Sequence, residues 1–140
     1  MLDHIGQIPA FAARTFQDRE ALVFEGQSFT FNDLNSLIEK TAGALHSLGI
    51  GEGEVVTLYA SNSWEWIVSY FAIARIGAVI NPVNTMLTPT EIEFVVKDCD
   101  ARAIITSADK AASIVEVKNN SNVTSIISFG TAPEGAVSFD

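Results

Sequence analysis

The 140-residue sequence is poor in positive charge, in cysteine and in histidine. Eight Lys and Arg stand against 17 Asp and Glu, a net charge of −9. The cations (Arg14, Arg19, Lys40, Arg75, Lys97, Arg102, Lys110, Lys118) are scattered without forming a run. Nucleic-acid binding depends on a concentrated basic surface, so that partner class is excluded, and the acidic excess reads as serving solubility. Cys99 is the single cysteine, which rules out an internal disulfide and suits a reducing cytoplasm. The opening Met1-Leu2-Asp3-His4-Ile5-Gly6 lacks the cationic stretch and apolar run of a signal peptide. In that setting the sequons at Asn119 and Asn122 read as accidental. Internal repeats and low-complexity segments are also missing, which excludes solenoids and disordered tails.

What is present is apolar residues in quantity, 48% against 18% charged, the balance of a folded globular chain. A domain of this length can bury roughly 68–70% of its unfolded surface. The longest apolar stretch, Trp66 to Leu87, is about long enough to span a bilayer. Arg75 would then sit near mid-membrane at roughly 2.5–3.5 kcal/mol on insertion scales, and Asn81-Pro82 and Asn84 would interrupt the helix. The stretch therefore reads as a buried helix followed by a strand and a loop.

Periodicity predicts a helix over 8–16, a strand over 21–24, a two-residue turn at Gly26-Gln27 and a return strand carrying Phe29 and Phe31. Thr30 with Asp33 three residues on supplies a loose capping box for a second helix. Its apolar face is Leu34, Leu37, Ile38, Leu45 and Leu48, and Gly49 stops it. Val55–Ala60 lacks polar alternation, as an interior parallel strand should. Ser61-Asn62-Ser63 caps a helix over 64–76 whose only polar positions, Glu65, Ser69 and Arg75, form a narrow stripe. A strand over 78–80, a helix from Thr88-Pro89 to about Asp98, strands at 103–106 and 125–128, and a helix over 108–117 follow; 130–135 reads as a loop. The alternation predicts an α/β fold, a mostly parallel doubly wound sheet with an N-terminal β-hairpin.

Each chemical motif has a simpler structural reading. Gly49-Ile50-Gly51-Glu52-Gly53 follows a helix and precedes a strand, the reverse of a phosphate loop, so it reads as a helix stop and turn. Asp98-Cys99-Asp100 reads as a helix exit, since two flanking carboxylates disfavour a thiolate and no second Cys or nearby His completes a ligand set. His4 and His46 belong to no catalytic constellation. Ser61-Asn62-Ser63 follows the carboxyl end of a buried strand, where open α/β sheets place ligand crevices, but capping explains it as well. Trp64, Trp66, Tyr70 and Phe71 offer aromatic surface for an acyl chain or a ring, though helical spacing favours packing.

Three signatures in order carry a resemblance. Phe29-Thr30-Phe31-Asn32-Asp33-Leu34, followed by Ala42-Gly43-Ala44-Leu45 and Leu48-Gly49-Ile50, resembles the hairpin-to-helix entry of the adenylate-forming superfamily. Val55 through Asn62 and Trp66 to Ala74-Arg75-Ile76-Gly77-Ala78-Val79-Ile80-Asn81-Pro82 is similar to that superfamily's strand, helix and apolar Gly-Ala turn. Asn84-Thr85-Met86-Leu87-Thr88-Pro89-Thr90-Glu91-Ile92, with Asp98 and Ala101-Arg102-Ala103-Ile104-Ile105, resembles its acyl-CoA ligase branch more than its peptide-synthetase branch. The likeness runs over about residues 8 to 128.

The resemblance implies an AMP-forming acyl-CoA synthetase in which ATP, Mg²⁺ and CoA act on a fatty or related carboxylic acid. It also implies that residues 1–140 are a partial N-terminal domain, with the ATP-binding core and C-terminal lid absent, as in a truncated gene product or a fragment. The sequence holds no Ser/Thr/Gly-rich loop ending in Pro-Lys-Gly, no aromatic-Thr-Glu segment, no ribose-binding Asp followed by Arg and no lid lysine motif. No catalytic, cofactor-binding or metal residue carries over, and the chain alone is expected to be inactive. The alternative is a stand-alone, non-catalytic α/β binding or interaction module; an unrelated flavodoxin-like nucleotide binder ranks last for want of a phosphate loop. Self-association through exposed apolar surface is a further expectation, and acid identity stays open.

Overall fold

The computed structural model describes residues 2–140. They form two compact units, one made of the chain up to Glu52 together with Asn62–Ala78, the other of Gly53–Ser61 and Val79–Asp140.

The first unit begins with a 3-10 turn, Ile5–Gln7, running into α1 (Ile8–Phe16). Strands β1 (Glu20–Phe24) and β2 (Gln27–Thr30) form the antiparallel hairpin. Phe24 pairs with Gln27, so the turn is Glu25-Gly26, one residue earlier than the sequence suggests. Both turn residues have positive φ, 49° and 81°, the type I′ geometry whose twist matches the flanking strands. Helix α2 (Phe31–Ser47) starts on a complete capping box: the Thr30 hydroxyl accepts from the Asp33 N–H, and the Asp33 carboxylate accepts from the Thr30 N–H at 2.9 Å. Its buried face is Ile38, Ala42 and Leu45; Leu48, expected there, is 39% exposed. Ile50, beyond the left-handed Gly49, is fully buried instead, because the chain reverses at the glycine and returns an apolar side chain to the core.

Helix α3 (Trp64–Arg75) contacts α2, and the Arg75 guanidinium donates to the Asn35 side chain at 3.0 Å and lies 3.3 Å from the Glu39 carboxylate. The expected polar stripe does not form, since Ser69 is fully buried among Val68, Ala72 and Ile73 on the same helix face. Gly6 packs so closely on α3 that a Cβ there would fall 2.6 Å from the Ala74 carbonyl carbon and oxygen.

The second unit is a five-stranded, all-parallel sheet of β3 (Val55–Tyr59), β4 (Val79–Pro82), β5 (Ala101–Ser107), β6 (Ser125–Phe129) and β7 (Val137–Ser138), in the order β4-β3-β5-β6-β7. From β3 the chain steps outward to β4, then returns past β3 to build β5, β6 and β7 on the other side, the strand order of a doubly wound sheet. Val56, Thr57 and Leu58 of the interior strand β3 are fully buried. β7 was not foreseen: two residues give too little periodicity to read, and Phe139 N–H donating to the Ser128 carbonyl at 2.8 Å extends its pairing with β6.

Helix α4 (Pro89–Asp98) opens on a second capping box, Thr88 with Glu91, and on proline in its first turn. Helix α5 (Ala108–Ile114) is shorter than expected; the chain tightens into a 3-10 stretch over Val115–Asn120. Tyr59, Ile92, Val96, Ile104, Ile114, Val117 and Ile126 form one buried cluster between the helices and the sheet. The apolar run from Trp66 to Leu87 is thus helix, strand and loop, and no helix among the described residues is long and apolar enough to cross a membrane.

Candidate functional site

Reversal of strand order about β3 makes the carboxyl ends of β3 and β5 the switch point of the sheet, the place where open α/β sheets leave a crevice. There the Thr106 hydroxyl donates to the Tyr59 carbonyl at 2.7 Å, a buried bond tying the two strand ends. The Tyr59 hydroxyl donates to the Leu87 carbonyl at 2.6 Å, and the Lys110 ammonium donates to the Thr85 carbonyl at 3.0 Å. That ammonium also lies 5.1 Å from the centroid of the Tyr59 ring, within cation–π range. The 83–88 segment is tightened internally as well: the Met86 N–H donates to the Asn84 side chain at 2.9 Å and the Leu87 N–H to the Asn84 carbonyl at 3.2 Å. The chain's own loop is pinned over this strand edge by a phenol and an ammonium. Beside them the Ser107 Oγ, at the end of β5, is buried without a hydrogen-bond partner.

This arrangement offers positioning groups but no nucleophile-base pair and no oxyanion donors. No cluster of three or more His, Cys, Asp and Glu placed to hold a metal ion occurs among the described residues. Tyr59, Thr106 and Lys110 could not be picked out from the sequence, because each acts on a group 25 to 47 residues away.

The residues singled out by sequence fall elsewhere. Ser63 is the N-cap of α3, its hydroxyl accepting from the Trp66 N–H at 3.2 Å, so its side chain is engaged in capping; Ser61 and Asn62 are exposed. The Gly49–Gly53 segment turns the chain between α2 and β3 with left-handed glycines at 49 and 53. Cys99 is the C-cap of α4, where the Asn81 amide approaches its sulfur at 3.4 Å. With Glu54, Asp100, Arg102 and Asn122 it lines a cleft of about 480 Å³. Asn122 donates to Asp100 at 2.7 Å and Arg102 sits 3.6 Å from Glu54, so the polar groups of that cleft are paired with one another. His46 is exposed in the last turn of α2, and His4 precedes the N-terminal 3-10 turn. The aromatics of α3 are half-buried: Trp66 stacks on Tyr70 at 5.5 Å, Tyr70 meets Phe71 edge-on at 5.4 Å, and Trp64 packs on Phe29 at 5.3 Å. They form a ladder of ring contacts along one helix.

Three carboxylates are shifted, two at helix N-termini and one on the surface of α4. Asp33 is held below the usual carboxylate range by the Thr30 N–H and then its hydroxyl, and Glu91 likewise by Thr88. Glu93 is lowered first by its hydrogen bond from Lys97, then by Asn120. All three are capping or surface groups, which is where structural carboxylates are expected to shift.

Comparison with known proteins supplies what local chemistry does not. The chain is 34% identical over 110 residues to a crotonobetaine/carnitine–CoA ligase of Salmonella arizonae, a match covering 75% of this chain and 21% of the relative. It is 38% identical over 103 residues to YngI of Bacillus subtilis, whose own assignment as an acyl-CoA synthetase is provisional, covering 72% of this chain and 19% of that one. The solved anthranilate CoA ligase AuaEII, in complex with anthranoyl-AMP, superposes with a TM-score of 0.90 at 30% identity, over 97% of this chain and 27% of that one. The chain thus spans about a fifth of the length of the curated relatives it matches. The family described as AMP-binding enzyme matches residues 10–138, almost end to end, and this chain belongs to that family.

Proposed function

We propose that this chain is the N-terminal portion of an AMP-forming ligase that activates a fatty or related carboxylic acid with ATP and passes the acyl group to CoA. The family match over residues 10–138, shared with CoA ligases, carries the reading. In that reaction a carboxylate oxygen attacks the α-phosphorus of ATP, forming an O–P bond as pyrophosphate departs. The CoA sulfur then attacks the acyl carbon, the thiol proton passing to solvent, and the C–O bond to AMP breaks. Mg²⁺ would neutralise the departing phosphates. Such chemistry rests on positioning and charge stabilisation. The residues of this chain supply a scaffold: the pinned 83–88 loop, the sheet edge at Tyr59 and Thr106, and the aromatic ladder of α3.

The chain by itself is inactive in this proposal, because no constellation for adenylation exists among its described residues. A cytoplasmic setting belongs to the proposal too, supported by Cys99 being a free thiol. The test has two arms. Purified chain with ATP, Mg²⁺, CoA and a panel of carboxylic acids should release no AMP above blank; release would overturn the inactive assignment. A chimera in which residues 10–138 replace the matching region of the crotonobetaine/carnitine–CoA ligase should retain acid-dependent AMP formation. A soluble, folded chimera without activity would overturn the ligase reading.

One observation favours a second reading, a non-catalytic module standing alone. Val68, Ser69, Ala72, Ile73 and Ala74 of the most apolar helix are buried and no residue from Trp64 to Ile76 falls in the exposed range, its aromatics being half-buried. A purified chain that is monodisperse and unfolds cooperatively would support that reading.

A further inference from the structure

A stripe of large apolar side chains lies open on the first unit. Ile5, Ile8 and Phe11 recur every three residues along the 3-10 turn and α1, Leu2 stands three residues earlier in the extended lead-in, and the four, in chain order from Leu2, are 42%, 46%, 40% and 48% exposed. In the helical part residues three apart lie on one side, so Ile5, Ile8 and Phe11 form a continuous row that Leu2 leads into. The opposite side of the same segment is the buried one: Gly6, Pro9 and Ala13. A row of this kind is more than the singly scattered apolar residue that any surface tolerates.

Charge is arranged along the row with a direction. Asp3 stands at its start and Arg14 three residues past its end, and no acidic residue occurs between His4 and Gln17. Among the described residues neither the Asp3 carboxylate nor the Arg14 guanidinium has a partner, although both line the same cleft of about 570 Å³ with Leu2, Phe11 and Arg75. Two copies laid antiparallel along this stripe match themselves. Leu2 meets Phe11 of the other copy, Ile5 meets Ile8, and each Asp3 comes to the end that carries the other copy's Arg14. Antiparallel helices also oppose their dipoles favourably. Self-matching under a two-fold axis is the defining property of an isologous contact.

We propose that the Leu2–Ile5–Ile8–Phe11 stripe is a self-association surface, through which two copies of this chain pair antiparallel with Asp3 and Arg14 closing its ends. The inference does not depend on the ligase reading. Four partly exposed side chains per copy cover less than the roughly 1,600 Å² of a standard stable interface, so the dimer is weak and concentration-dependent. The net charge of −9 opposes the approach of two copies and is screened by salt, which makes physiological ionic strength the right condition.

Sedimentation equilibrium of the full chain at about 0.15 M salt should show the average mass rising from 15.1 kDa toward twice that value between micromolar and millimolar concentration. Phe11→Ser and Ile8→Ser, both at exposed positions, should abolish the rise while leaving the circular dichroism spectrum unchanged. Arg14→Asp alone and Asp3→Arg alone should each weaken association by about tenfold, since every dimer then gains two like-charge contacts. The double exchange D3R/R14D should restore it. A constant 15.1 kDa at all concentrations, or no rescue by the double exchange, would overturn the proposal. So would monomers that co-sediment with phospholipid vesicles unless Phe11 is replaced, which would assign the stripe to a lipid surface.

Discussion

The Tyr59 hydroxyl reaches 28 residues along the chain to donate to the Leu87 carbonyl at 2.6 Å, so the last residue of β3 holds the loop that precedes α4. A side chain is here serving a backbone carbonyl that neither strand nor helix satisfies. Tyr59→Phe keeps the ring and removes only the donor. It should cost about 1 kcal/mol in urea unfolding and speed amide exchange over 84–88, with the rest of the sheet unaffected. Lys110→Met should loosen the same amides by removing the bond to Thr85. Unchanged exchange in both variants would show that the loop is held by other contacts.

Ser69 presents the converse case, a fully buried hydroxyl without a hydrogen-bond partner in the middle of an apolar helix. Removing a polar atom that has been stripped of water and given nothing in return is favourable. Ser69→Ala should raise stability by about 1 kcal/mol, read as a higher thermal midpoint. A lower midpoint would mean that the hydroxyl is satisfied in solution.

The two capping boxes set the response to acid. A carboxylate whose pKa is depressed on folding contributes stability that is present above its unfolded pKa and is lost as pH falls through the folded value. Asp33 and Glu91 are both depressed, by the N–H and hydroxyl of Thr30 and Thr88. The urea midpoint should therefore stay level from neutrality down to about pH 5 and decline below about pH 4, the ordinary carboxylate range. Glu91→Gln keeps an acceptor for the box but does not titrate, and should make the decline shallower. Thr88→Ala should cost about 1 kcal/mol at pH 7, the usual loss on removing a cap.

At Gly6 the constraint is steric. An added methyl group would lie 2.6 Å from the Ala74 carbonyl and 2.7 Å from the Arg75 Cα, both backbone atoms that cannot step aside without moving α3. Gly6→Ala should destabilise the chain by about 1–3 kcal/mol, while Gly43→Ala, where a Cβ meets nothing within 4 Å of its ideal position, should be neutral or stabilising. Equal melting temperatures for the two variants would show that the N-terminal turn is not seated on α3.

Local chemistry was the legible part of this sequence. Thr30 with Asp33 announced one helix because a capping box is complete within four residues, and Thr88-Pro89 announced another as an N-cap followed at once by proline. The lack of polar alternation over Val55–Ala60 announced an interior strand, because a strand covered on both faces has no alternation to show. The hairpin turn came out one residue late, since Gly26 could serve as either turn residue and only the pairing of Phe24 with Gln27 decides. Ser69 looked like solvent-facing surface because residue type, not environment, was all that could be read. The bonds of Tyr59, Thr106 and Lys110 join residues brought together by the sheet, and no spacing rule anticipates them. The family signatures were visible as an ordered set, although none of them is a site in itself.

The strand order has one more consequence, for genetic dissection. The first unit takes its residues from two separate stretches of chain, and the second unit takes β3 from between them. No single uninterrupted gene segment therefore encodes either unit. Expressing 79–140 alone would omit β3, the only strand that pairs with β4, and would leave the long side of β5 open to solvent. Deleting 53–61 would remove the same strand while sparing every helix. The covalent thread passes between the units three times, and a cut at either of the last two crossings, after Ser61 or after Ala78, leaves β3 on one piece and the other four strands on the second, so the pieces must find each other again before the sheet can be rebuilt.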